Sequence, residues 1–165
     1  MFENLEKEYA EISFLHETAQ LSQHLGGIYF DKEDFGKAFK YHEKFYLCSK
    51  KLEEEALTPS SLLGRVYSCI SFSGINFILG NKGEGIAKFS EAMNSVTFLL
   101  SAIYPHENYV EIFDELNSDL IPIKEKIRLL NGLVAETDTN QLLDTEKQHL
   151  NNFLTYIKTF TKFFD

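Results

Sequence analysis

The side chains able to do acid–base, nucleophilic or metal chemistry are few and scattered in this chain. Five histidines, His16, His24, His42, His106 and His149, stand far apart, and Glu146 with His149 forms the single Glu-x-x-His pair. A carboxylate di-metal site in a helical bundle takes two such pairs and two further glutamates, so no metal site is expected. Cys48 and Cys69 lie too far apart for metal-ligand spacing, and neither neighbours an arrangement of nucleophile and base. Both read as buried small hydrophobes of a protein in a reducing compartment. There is no Gly-x-Ser-x-Gly and no His-Glu-x-x-His. The run Gly80-Asn81-Lys82-Gly83-Glu84-Gly85 places glycines beside a lysine at a helix start, a composition that can cradle phosphate. Here no strand precedes it, no Ser or Thr follows the lysine, and Glu84 would repel the anion. The reading is therefore of a chain without catalytic residues, cofactor or metal, and not of an enzyme.

Charge narrows the partners. The chain carries a formal net charge of −9, and its only adjacent basic pair, Lys50-Lys51, runs into Glu53-Glu54-Glu55. Nucleic acid and anionic membrane are bound chiefly through clustered Lys and Arg, so neither is expected, and a neutral or basic protein fits better. The first residues alternate acids with apolar side chains, unlike the basic start and apolar core of a signal peptide. No apolar stretch approaches the roughly 18 residues of a membrane span, and a soluble, cytoplasmic protein is expected.

The elements that would position any site are helices. Phe2, Leu5, Tyr9, Ile12, Leu15 and Ala19 step by threes and fours toward Leu25, Gly26 and Tyr29. A polar turn at Asp31 to Asp34 interrupts the pattern, and Phe35, Ala38, Tyr41, His42 and Phe45 resume it. Asp34 is the predicted N-cap of that second helix. Thr58-Pro59 predicts a third start, Thr as N-cap and Pro at the first helical position, and Gly80 its end. Gly26 and Gly27, each about 1 kcal/mol worse than Ala inside a helix, predict a close approach there, with Ala38 as the opposite wall.

These residues resemble the tetratricopeptide repeat, a pair of antiparallel helices clasped by small residues. Leu25-Gly26, Tyr29, Asp34-Phe35, Ala38, Tyr41 and Lys44 stand where that family has its counterparts. Four positions depart: Ser22 replaces a bulky aromatic, Glu33 the turn glycine, His42 an aromatic and Phe45 the second small residue. A second, more degenerate copy follows at an offset of 47 residues, with Gly80-Asn81 as turn, Gly85 for Ala38, Phe89 for His42 and Ala92 at the second clasp. The resemblance covers about residues 19–103. It implies an all-α fold of antiparallel hairpins, 1–57 and 58–104, with 105–165 closing a single domain as a helical pair.

Function follows from the same resemblance. It implies a protein-interaction module or adaptor that holds a peptide or helix of a partner on the first helix of each hairpin. Position by position, the binding residues are Gln20, Gln23, His24, Phe30 and Asp31 in the first copy and Tyr67, Ile70 and Phe77 in the second. No Lys, Asn or Arg stands at these places, which speaks against gripping a chaperone tail by its carboxylate. The alternative is a structural subunit that forms homo-oligomers through its last helix, where Leu143, Leu150, Phe153, Leu154, Ile157, Phe160 and Phe164 form an apolar stripe.

Overall fold

Local sequence signals set the helix ends. Asp34 accepts a hydrogen bond from the backbone N–H of Lys37 at 3.2 Å, and Lys37 Nζ lies 3.0 Å from the same carboxylate. The Lys37 ammonium, and after it the Lys37 backbone N–H, hold the Asp34 carboxyl below its ordinary value. Thr58 and Ser61 close a reciprocal capping box, Ser61 N–H to Thr58 Oγ1 at 3.1 Å and Thr58 N–H to Ser61 Oγ at 2.9 Å, with Pro59 opening the helix. The computed structural model describes residues 2–103, with Leu129, Gly132 and Asp144 beyond them. Residues 2–103 form α1 (Phe2–Asp31), α2 (Phe35–Glu55), α3 (Pro59–Ile78) and α4 (Lys82–Ile103), with no strand among the described residues. None of these helices is long and apolar enough to cross a membrane. The closing pair expected over 105–165, and the Phe-rich stripe on it, lie outside the described residues.

Two turns share one geometry. After α1, the N–H of Glu33 bonds to the Phe30 carbonyl and that of Asp34 to the Tyr29 carbonyl, both at 2.9 Å. After α3, Gly80 bonds to Phe77 at 3.1 Å and Asn81 to Asn76 at 2.9 Å. Both are Schellman caps, which need a left-handed residue at the helix end. Gly80 supplies it at φ +82°, whereas Glu33 takes φ +59° with a side chain attached. The strain there is about 1–2 kcal/mol, which the surrounding cap bonds offset.

Turns this short send each helix back along the one before. Ile12, Leu15 and Ala19 of α1 share a cluster with Phe45, Cys48 and Leu52 of α2, and Tyr29 stacks on Tyr41 at 5.4 Å, so the two run antiparallel. Packing is extensive for α1 on α2, α2 on α3 and α3 on α4. The larger core lies between α3 and α4, where Val66, Cys69, Ile70, Phe72 and Ile75 face Ile86, Phe89, Ala92, Met93 and Val96, joined by Ala38 and Tyr46 of α2. Eleven of the twenty residues of α3 are buried, which makes it the central helix. Each large side chain so buried contributes about 1.5–3 kcal/mol.

The expected clasp is corrected in two places. A Cβ on Gly26 would come within 2.7 Å of the His42 ring, so the wall opposite Gly26 is His42 and not Ala38, which instead joins the core shared with α3 and α4. Gly27 has nothing within 4 Å of where its Cβ would stand. It is therefore not part of a close approach.

Candidate functional site

The residues proposed from the first copy fall together on one flank of α1. Gln20, His24 and Asp31 are exposed, Gln23 is half-buried, and Phe30 is 39% exposed with its ring edge-on to Phe35 at 5.8 Å. Helical spacing of three, four and seven aligns them, and the opposing side of α1 is held against α2 by Ala19, Ser22 and Gly26. His24 Nδ1 donates to the Gln20 carbonyl at 2.8 Å, which leaves Nε2 as the acceptor of the neutral ring. This flank offers one aromatic anchor, two amides, an imidazole and a carboxylate.

The residues proposed from the second copy do not join them. Ile70 is 2% exposed within the main core and has no surface to offer a partner, because the apolar face of α3 is used up by α2 and α4. Tyr67 is half-buried and packs between the two clusters. Phe77 lies over Gly85, where a Cβ would stand 2.8 Å from its ring, so it fills the α3/α4 contact.

A charged cluster that the sequence reading passed over lies where α2, α3 and α4 meet. Arg65, 6% exposed, pairs through Nε with Glu53 at 3.2 Å and through Nη2 with Glu91. Tyr46 donates its hydroxyl proton to Glu91 Oε2 at 2.8 Å and accepts from Lys88 Nζ at 3.0 Å and Arg65 Nη2 at 3.3 Å. Lys88 closes the set on Glu91 Oε1 at 2.9 Å and Glu84 at 3.3 Å. Both cations also lie 4.3 Å from the centre of the Tyr46 ring. Burial pushes the Glu91 carboxyl up, but hydrogen bonds from Lys88 and Tyr46 outweigh it and hold it below its ordinary value. Burial likewise works against Lys88, and its bonds to Tyr46 and Glu91 more than offset this and raise it. Each carboxylate is engaged by a cation, so the cluster holds helices in register and leaves no free base.

Burial pushes the Cys69 thiol beside this cluster up to about 12 and raises Cys48 as well. Neither is a thiolate at neutral pH, and a thiol in that state is a poor nucleophile. No group of three His, Cys, Asp or Glu side chains is placed to hold a metal ion among the described residues. The cluster was legible in one respect: Arg65 is the only charged residue between Glu55 and Lys82. A lone charge in so apolar a helix must be paired.

Comparison with family models, with curated proteins and with solved structures finds no match to this chain.

Proposed function

We propose that this chain is a helical protein-interaction module without chemistry of its own, which binds a peptide or helix of a partner protein along the flank of α1 that carries Gln20, Gln23, His24, Phe30 and Asp31. The observation that carries the reading is the juxtaposition on that flank of an accessible aromatic and an exposed carboxylate, one helical step apart. Buried anchors of this kind supply most of the energy of an interface, and Phe30 is the large apolar side chain in the set. Asp31, in a chain at −9, selects a neutral or basic segment and speeds encounter by attraction. The tetratricopeptide-like character of the surface rests on the sequence resemblance alone. Two free cysteines suit a reducing compartment, the cytoplasm.

Capture of partners from lysate by the intact chain, followed by Phe30→Ala combined with Asp31→Lys in a protein that circular dichroism shows to be folded, tests this. Binding falls and loses its salt dependence if the flank is the site. Undiminished capture moves the binding surface elsewhere.

A further inference from the structure

Charge is segregated along α2. Between Phe35 and Leu52 stand five lysines, nearly a third of the sixteen Lys and Arg of a chain at −9, with Glu43 alone against them. Lys37, Lys40, Lys44, Leu47 and Lys51 step by three, four, three and four, which sets them in one row within about 80° of arc at 3.6 residues per turn. All five are exposed. Lys37 is paired with Asp34, whereas Lys40, Lys44 and Lys51 form no ion pair among the described residues, so their charge is open to a partner.

A second row lies beside it on α1. Phe14, Leu21 and Ile28, 68%, 60% and 48% exposed, recur every seven residues and so share one line of the helix surface. Both rows open on the same side of the hairpin. Tyr29, next to Ile28, stacks on Tyr41 of α2, and Lys37 Nζ lies over the Tyr29 ring at 5.0 Å. Around the helix axes, Tyr29 falls between the buried Ser22 and the row residue Ile28, and Tyr41 between the buried Phe45 and the row residue Lys44. An apolar line and a cationic line therefore run side by side, about 10 Å apart, the distance between packed helices.

That pairing specifies an occupant. A helix laid in the groove between the two lines buries an apolar seam on Phe14, Leu21 and Ile28 and meets the lysines along one edge of that seam, where its own residues must be acidic. Glu17, exposed just outside the apolar row, would face a flat anionic bilayer, but not a helix seated between the rows. We infer that this face receives an acidic amphipathic helix of a partner protein, its carboxylates opposite Lys40, Lys44 and Lys51. The groove shares no side chain with the flank of Gln20, Gln23, His24, Phe30 and Asp31 and selects the opposite charge, so either surface can fail without the other.

The test titrates the full-length chain into a fluorescent synthetic helix of about three heptads, Leu at its a and d positions and Glu along both edges, and into a twin with Lys for Glu. The expected result, read by anisotropy, is binding of the Glu peptide that weakens as salt rises, and no binding of the Lys twin. Lys40→Glu with Lys44→Glu, in protein that circular dichroism shows to be folded, should weaken binding by about tenfold or more. Lys50→Glu with Lys82→Glu makes the same change of charge at exposed positions off the row and should alter it by less than about twofold. Phe30→Ala with Asp31→Lys should leave it in place. Equal losses in the two lysine pairs, equal binding of both peptides, or no binding of the Glu peptide overturns the inference. If in that last case Lys40→Glu with Lys44→Glu abolishes a dimer seen by light scattering, or adhesion to phosphatidylserine vesicles, the row serves a second copy or a membrane instead.

Discussion

The two helix pairs end their first helices with the same cap and then diverge. In α3 and α4 the cap residue is Gly80, Phe89 of α4 has no exposure, and α3 is more than half buried. In α1 and α2 the corresponding residues are Glu33 and His42, and α1 keeps an apolar stripe and a polar flank in view. The shared turn shows that backbone geometry tolerates Glu for Gly when two cap bonds repay the strain. The divergence teaches that, among the described residues, α3 is packed on most of its circumference while α1 is packed chiefly on one side.

Removing the filler separates the pairs most sharply. Phe89→Ala should destabilise by about 3–5 kcal/mol, since it leaves a cavity among Val66, Ile75 and Met93, whereas His42→Ala at the matching place should cost clearly less. Denaturant midpoints measure both, and equal losses would erase the distinction. The charged cluster comes next. Glu91→Gln deprives the buried Arg65 of one partner, and because Glu91 is a third exposed the loss should be about 2 kcal/mol, below the usual range for buried pairs. The folded carboxyl titrates below its ordinary value, so its contribution is complete above about pH 4.5 and is lost as pH falls through the folded value. Melting temperature in acid should therefore drop more steeply for the unaltered chain than for Glu91→Gln.

Smaller effects test the close approaches and turns. Gly26→Leu should overpack against His42, and Gly85→Leu against Phe77, by about 1–3 kcal/mol, while Gly27→Ala, in open space, should stabilise by up to about 1 kcal/mol. At the caps, Gly80→Ala should destabilise by about 1 kcal/mol and Glu33→Gly should stabilise by less than that, opposite signs at one geometry. Thermal melts of the two cap variants decide whether the turns are as alike as their hydrogen bonds.

Much of the helical plan was legible because local chemistry specifies it. Asp34, Thr58-Pro59 and Gly80 mark helix ends through their own hydrogen bonds and backbone angles. What the sequence hid depends on rotation about helix axes. Ile70 and Phe30 are both apolar residues at proposed groove positions, yet one is core and the other half open, because α3 has neighbours on two sides and α1 chiefly on one. Gly26 and Gly27 are adjacent and identical, and only the direction of each missing Cβ separates the one against His42 from the one in open space. The cluster around Tyr46 joins residues 45 apart, so only the loneliness of Arg65 pointed to it.

The most direct test of α1 as the binding helix is the affinity of the captured partner, by titration calorimetry, for two folded double variants. Phe30→Ala with Asp31→Lys alters the polar flank, and Phe14→Ala with Ile28→Ala alters the apolar stripe. The account predicts at least a tenfold loss of affinity, about 1.4 kcal/mol, for the first and little change for the second. Retained affinity in the first, or a loss confined to the second, would contradict it.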